Sequence, residues 1–417
     1  IRAIFKVYHR SAIVATEVNM LESKCVVIGV TGGIAAYKTA NLISELVKHG
    51  VEVHVIMTKN ATNFITPITF EVLSGNRCIV DTFDRGFSFE VGHISLAKKV
   101  DLIIIAPATA NIIAKLSTGI ADDMLTTTVL AAKCPILVAP SMNSNMYEHI
   151  TVRNNLKKLS SYGYEIIEPA IGRLACGDVG KGKLADAEVL FSHIVKNIAY
   201  DKDLSGKNVL VTAGPTIEKI DPVRFISNHS SGKMGIEIAK AAAYRGAKVR
   251  LVLGKTAIKR PDFVKITDIV SANDMYEAVR EYAHDSDIII KSAAVADYRP
   301  ADIADEKMKK SNSELSIKLE RTVDILKYLG DNKRSDQFLC GFSMETSNLI
   351  ENSKLKLEKK NLDMIVANNL KEEGAGFAGD TNKVSIITKD DIIQTEILSK
   401  KKIAHKILDE IIKHSTK

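Results

Sequence analysis

The feature that most restricts how this chain can fold lies near its middle. The apolar run Asn208 to Thr212 leads into the turn Ala213-Gly214-Pro215-Thr216. A little further on, Ser227-Asn228-His229-Ser230-Ser231-Gly232-Lys233-Met234-Gly235 opens into a helical pattern over Ile236 to Gly246, and a second apolar run, Lys248 to Leu253, follows. Strand, loop, helix and strand in this order predict a βαβ unit, because parallel strands need a crossover of about helix length. A small-residue, donor-rich segment at a helix N-terminus is where such units bind phosphate.

The first half carries its own version of the pattern. Cys25 to Val30 reads as a strand, Gly32-Gly33 as a turn, Ala35 to His49 as a helix stopped by Gly50, and Val51 to Met57 as the next strand. Leu102 to Ala106 and Ile136 to Ala139 read as further buried strands ending at Pro107 and Pro140, with one helix over Asn111 to Lys133 between them. Ile288 to Ile290 is a strand of the second half, leading to Ala293 to Pro300. The fold class expected is α/β, with two Rossmann-like domains, each a mostly parallel sheet flanked by helices. The expected boundaries are an extension over 1–19 outside the fold, a first domain over 20–196, a polar linker over 197–207 and a second domain over 208–417. Ligands of such sheets sit beyond the carboxyl ends of the strands.

Composition narrows the function. The chain of 417 residues has 46% hydrophobic residues, and its formal charge of +7 comes from 57 Lys and Arg against 50 Asp and Glu. The charges are interspersed and no polybasic block carries aromatics, so nucleic acid is not expected as a partner. A solvated basic surface explains the excess, as does a mild attraction for phosphorylated ligands. No apolar run reaches membrane-spanning length, so no membrane association is expected. The five cysteines, an odd number with no CxxC pair, argue against a disulfide framework or structural zinc and for the cytoplasm.

The turn Gly29-Val30-Thr31-Gly32-Gly33-Ile34 is not GxGxxG, and the next strand ends in Met57-Thr58 where a dinucleotide site would place an acidic residue. A phosphate held by backbone N–H groups and hydroxyls fits better. Three further motifs sharpen this: Gly92-His93-Ile94-Ser95-Leu96, Pro107-Ala108-Thr109-Ala110-Asn111, and Pro140-Ser141-Met142-Asn143-Ser144-Asn145-Met146. Together, over roughly Lys24 to Phe191, they resemble the homo-oligomeric flavin-containing cysteine decarboxylase family. The resemblance implies FMN, contacted by Gly32, Gly33, Thr58, Thr109, Asn111 and Ser141, the last being most often Ala in the family. It implies His93 as acid/base and Asn143 as the holder of the substrate carboxylate. Cys176 would be the proton donor, carried by a glycine-rich loop, Gly172 to Lys183, that reads as a mobile lid. The flavin supplies the oxidation that makes the carboxylate a good leaving group. Singly, His93 reads as an ordinary core or surface histidine and Cys176 as a small loop hydrophobe; the shared spacing favours the functional reading.

In the second half Gly232-Lys233 is followed by Met234, which rules out a GxxxxGK[ST] phosphate loop. Asp221-Pro222-Val223-Arg224, Ile226 to Gly235, Ala293-Ala294-Val295-Ala296-Asp297-Tyr298 and Lys307-Met308-Lys309-Lys310 resemble phosphopantothenate–cysteine ligases. Gly341-Phe342 and Lys356 through Asp363 extend the match. The lysine runs taken alone would read as solvated faces. The resemblance implies activation of the phosphopantothenate carboxylate by CTP, then attack by the cysteine amine on the acyl-cytidylate. Ala293, Asp297, Lys307, Phe342, Lys356 and Lys360 match CTP positions, and Asn228 and Arg224 the acyl-cytidylate and phosphopantothenate side. Lys307 and Asn228 are expected to be catalytic. Mg2+ is implied by the triphosphate, without a ligand motif. Thr322-Val323-Asp324 departs from the Asn-Pro-Asp common in the family.

With both halves in this order the chain resembles the bacterial bifunctional family that joins the two activities in coenzyme A synthesis. Small-molecule substrates are the expected partners, and trimeric flavin units with paired ligase units the expected homo-oligomer. Two rival readings compete with this one. A regulatory flavin-fold binding protein would lack the carboxylate-holding Asn or the lid Cys, and a peptidyl-cysteine decarboxylase would lack the fused second half.

Overall fold

The computed structural model describes residues 20–82, 92–173, 177, 179–309, 316–345, 348–369 and 379–415. The chain divides after Tyr200 into two compact units.

The first unit is built on a parallel sheet of β1 (Cys25–Val30), β2 (Glu52–Met57), β3 (Leu102–Ala108), β4 (Ile136–Pro140) and β5 (Glu165–Ile166), in the order β2-β1-β3-β4-β5. Every residue of β1, β3 and β4 is buried. That is why their sequences are continuous apolar runs rather than alternating ones. Cys25 and Val27 of β1 pack with Ile103, Ile105, Val138 and Leu125 in one core. The expected first helix begins as a 3-10 turn, Ile34–Lys38, and becomes α-helical over Thr39–Lys48.

The single helix expected over Asn111 to Lys133 is two, Ala110–Thr118 and Met124–Ala131. Gly119, at φ +76, ends the first in a left-handed cap. Asp123 starts the second with a capping box, its carboxylate accepting from Thr126 N at 2.8 Å. A hairpin of β6 (Ala170–Arg173) and β7 (Val179–Lys183) follows, and helix Ala187–Ile198 closes the unit.

The second unit starts earlier than the sequence suggests. Leu204 is buried in its core and its N–H donates to Arg245 O at 2.9 Å. So Leu204, read from sequence as part of a linker, is packed here, while the other residues of 201–207 are exposed. The strands are β8 (Asn208–Ala213), β9 (Ile217–Lys219), β10 (Phe225–Ser227), β11 (Lys248–Leu253), β12 (Lys265–Asp268), β13 (Ile288–Lys291), β14 (Tyr298–Pro300), β15 (Leu319–Arg321), β16 (Phe338–Glu345), β17 (Met364–Asn369), β18 (Thr381–Asn382), β19 (Val384–Thr388), β20 (Ile392–Gln394) and β21 (Leu398–Ser399). Eight of them form the main sheet, ordered β12-β11-β8-β13-β16-β17-β19-β20, parallel as far as β17 and antiparallel beyond it. Val209, Val211 and Ala213 of β8 face one core and Leu210 the other, so both faces are covered.

The four described cysteines, Cys25, Cys78, Cys134 and Cys340, are free thiols. Among the described residues no helix is long and apolar enough to cross a membrane.

Candidate functional sites

The order of the first sheet reverses between β1 and β3, so a crevice opens beyond their carboxyl ends. Thr31, buried just after β1, donates its hydroxyl to Pro107 O at 2.6 Å and accepts from Thr109 N at 3.1 Å. These bonds lock the two strand ends at a set spacing. Thr109 then caps helix Ala110–Thr118. Gly32 is required by close approach: an added Cβ would lie 2.7 Å from Asn60 Cβ and 3.1 Å from the Asn60 carbonyl carbon. Thr58 N donates to Val30 O at 3.0 Å and Ser141 N to Ala108 O at 3.0 Å. Gly32, Gly33, Thr58, Thr109 and Ser141 thus lie at carboxyl ends of neighbouring strands, with Asn111 exposed in the first turn of the capped helix. The donor set is neutral: hydroxyls, an amide and backbone N–H groups at helix starts. It suits a phosphate ester held without a salt bridge.

Asn143 follows β4, and its Oδ1 accepts from Asn145 N at 2.8 Å at the start of helix Ser144–Glu148. The β6–β7 hairpin packs against this loop. Met142 N donates to Gly182 O at 3.0 Å, and a Cβ on Gly182 would fall 2.2 Å from Met142 O. His93 is half-buried in the first turn of helix Gly92–Lys99; no hydrogen bond joins it to Thr31, Thr58, Thr109 or Ser141. Cys176, expected as the proton donor, lies outside the described residues.

The second crevice lies where the main sheet reverses, between β8 and β13. Polar side chains seal the strand ends to each other. Ala293 N donates to Thr212 Oγ1 at 3.2 Å, Ala296 N to Thr216 Oγ1 at 3.0 Å, and Asn228 Nδ2 to Ala294 O at 3.1 Å. Gly232, in the left-handed region at φ +78, precedes helix Lys233–Tyr244. A Cβ on Gly235 would lie 2.5 Å from both Ala213 Cβ and Ser292 Oγ, so the helix start rests directly on the strand end.

A cavity of about 510 Å³ opens here, lined by residues 228–235 and 291–295 together with Asp297, Phe342, Lys356, Asn368, Asn382 and Lys400. A second, of about 420 Å³, shares Lys291, Val295, Asp297 and Lys356 with it and adds residues 321–326 and Lys360. Of the residues expected from sequence, Asn228, Ala293, Asp297, Phe342, Lys356 and Lys360 are brought together. Lys360 forms an ion pair with Asp324. Asp324 also caps helix Ile325–Asp331, so the Thr322-Val323 variation leaves that turn intact. Lys356 donates to Phe342 O at 3.3 Å, and burial holds its pKa below the usual lysine value.

Two expected residues stand apart from these cavities. Lys307 is exposed and lines neither. Arg224 pairs with Asp221 at 2.7 Å and donates to Met308 O at 3.1 Å. Asp221 is the anchor of this corner. Burial opposes its charge, but it accepts from the N–H groups of Val223, Arg224 and Met308, which keep its pKa low. Lys291 and Lys400 were not singled out from sequence, and Asp221 entered only as part of a motif, with no role of its own. The signal for Lys291 was present: a lysine ends the otherwise apolar run Ile288–Lys291, next to a motif.

Fold and crevices together define a two-unit α/β protein with a flavodoxin-like unit and a lysine-walled, nucleotide-type unit. Residues 14–199 match the flavoprotein family, and residues 204–414 match the family described as the DNA/pantothenate metabolism flavoprotein C-terminal domain. The coenzyme A biosynthesis bifunctional protein CoaBC of Bacillus subtilis (strain 168) is 48% identical over 396 residues, covering 94% of this chain and 97% of the relative. That of Haemophilus influenzae is 44% identical, covering 95% and 99%. A crystal structure of the C-terminal domain of a CoaBC is 45% identical over 51% of this chain and 97% of that domain, with a TM-score of 0.45. The chain belongs to the family of coenzyme A biosynthesis bifunctional proteins.

Proposed function

We propose that this chain catalyses two linked steps of coenzyme A synthesis. The second unit ligates 4'-phosphopantothenate to cysteine at the expense of CTP, through an acyl-cytidylate. The first unit decarboxylates the resulting phosphopantothenoylcysteine to 4'-phosphopantetheine with FMN. The observation that carries the reading is the pair of switch-point crevices with opposite character, one lined by neutral donors and one walled by lysines.

In the ligase unit Lys356 and Lys360 bring positive charge to the place where pyrophosphate must leave, with Asp297 as a hydrogen-bond acceptor for the base and Phe342 as an apolar face for it. Asn228, tied to Ala294 O, orients the acyl group beside the Ser230–Gly232 loop. Arg224 and Lys307 act from the corner organised by Asp221. Mg2+ accompanies the triphosphate, and Asp297 is the carboxylate that lines both cavities.

In the decarboxylase unit Gly32, Gly33, Thr58, Thr109, Asn111 and Ser141 would hold FMN, which supplies the oxidation that labilises the carboxylate. Asn143 orients that carboxylate by hydrogen bonds without adding a charge that would stabilise the ground state. His93 and Cys176 move protons. The proposed assembly has trimeric flavin units and paired ligase units, which light scattering checks.

Mass spectrometry of the products from phosphopantothenate, cysteine, CTP and magnesium tests the reading. Phosphopantetheine is the expected product. No conversion, with added phosphopantothenoylcysteine also untouched, overturns it.

A further inference from the structure

We propose that Lys291 is an anion contact of the ligase site, its ammonium holding a phosphoryl oxygen of the bound ligand in the wall that the two cavities share. The inference rests on the ligase reading and adds a residue to it. Lys291 ends β13, the strand beside the switch point, and it borders both cavities. The three residues before it are buried isoleucines, so its side chain starts where the apolar core stops.

An ammonium has three N–H donors. Among the described residues, that of Lys291 has one hydrogen bond, to Ala293 O at 3.3 Å, and no carboxylate within ion-pair reach. The charged groups that face it are Lys356, Lys360, Asp297 and Asp324. Asp324 is already taken by Lys360. Lys356 is no better satisfied, with a 3.3 Å bond to Phe342 O. Glu345 also faces Lys356, yet among the described residues neither ammonium has a carboxylate in ion-pair contact, so the wall they border holds two cations without a direct counter-ion. A half-buried cation in that position is costly unless an anion arrives or the proton leaves.

Burial first, and Lys356 second, lower the pKa of Lys291 to about 8. A bound phosphoryl group reverses that shift, so ligand binding above this pH draws a proton from solvent. The phosphoryl group can come from the triphosphate of the nucleotide or the phosphate of the acid substrate, and separate titrations distinguish them.

The test is calorimetric titration of the full-length flavin-loaded protein with CTP and, separately, with 4'-phosphopantothenate. It is run at about pH 8.5 in two buffers of different ionisation enthalpy, where phosphate groups with a second pKa of about 6 have no proton of their own to exchange. The wild type should take up most of a proton with the ligand that reaches Lys291. K291M should bind that ligand roughly 10- to 100-fold more weakly and lose most of the uptake, while binding the other ligand normally. K291R should recover affinity without recovering uptake, because a guanidinium stays charged.

Unchanged affinity of K291M for both ligands overturns the proposal. Absence of proton uptake by the wild type does the same and needs no variant, so a misfolded K291M cannot shelter the idea. A wild type that binds neither ligand overturns the ligase reading itself and this inference with it.

Discussion

Replacing Gly235 by alanine sets two known effects against each other. In a helix interior the change from glycine to alanine is worth about 1 kcal/mol of stabilisation. Gly235 is the third residue of helix Lys233–Tyr244, and the new Cβ would arrive 2.5 Å from Ala213 Cβ and 3.1 Å from Ala213 Cα. Neither atom can rotate away, since both belong to the end of a strand paired on both sides. Ser292 Oγ, also at 2.5 Å, could turn aside only by giving up its 3.0 Å bond to Thr212 O. Overpacking of this kind costs about 1–3 kcal/mol, and the lost hydrogen bond about 1 more. The clash wins by about 1–3 kcal/mol. For a unit of this size, at about 2–4 °C per kcal/mol, that is a fall in Tm of roughly 2–12 °C in the ligase transition. The helix start is pushed off the strand end, so the KM for CTP should rise while decarboxylation of supplied phosphopantothenoylcysteine is unaffected. The assays are a thermal melt and the two half-reactions run separately. A variant that melts above the wild type, with unaltered ligase kinetics, would refute the reasoning.

Three further outcomes are expected. N143D keeps the N-cap of helix Ser144–Glu148, since Asp caps as well as Asn, but places a negative charge against the substrate carboxylate; decarboxylation should drop at least about tenfold with the melt unchanged. T31V leaves Pro107 O and Thr109 N without their buried partner, at a cost of about 2 kcal/mol, and should speed flavin release in a dialysis assay. Burial opposes the charge of Glu165, but His193, Lys196 and Asn197 outweigh it and lower its pKa from 4.5 to about 2. A depressed carboxylate stabilises the fold above its unfolded pKa and loses that contribution as pH falls toward the folded one. Melts of the first unit should therefore weaken between about pH 4.5 and 2 by more in the wild type than in E165Q, and equal slopes would sink the assignment.

The strands were readable because burial on both faces writes them as unbroken apolar runs; β1 and β11 have the limits expected from sequence. The helix over Asn111 to Lys133 was misjudged because apolar spacing continues across a break made by backbone geometry at Gly119 and a cap at Asp123, two signals that periodicity ignores. The short hairpin β9–β10 went unseen, since three-residue strands carry too little pattern to register. In the site, the loops at the strand ends were legible as motifs; Asn228, Ala293 and Asp297 from them, with Phe342 of β16 and Lys356 and Lys360 of the helix Leu349–Lys359 and its cap, border adjoining cavities. Lys291 was missed because a lone lysine at a strand end looks like the start of solvent. Only the sheet order shows that solvent there is a crevice.

Arg245 reaches across the second unit in a way that bears on how that unit could be cut from the chain. Its guanidinium pairs with Asp203 on one side and, at 2.6 Å, with Asp409 on the other, where it also donates to His405 O at 3.3 Å. One side chain thus clasps the segment that enters the unit to the helix Lys400–Ser415 that completes it. A gene trimmed to begin at Asn208 would discard Asp203 and the buried Leu204, leaving a nearly enclosed guanidinium half-paired and the final helix loosened. A gene trimmed to begin at Asp201 keeps the clasp. Because entry and exit meet at one residue, a short peptide could join them and new ends be opened elsewhere, so the unit is a candidate for circular permutation or for insertion as a cassette into another protein.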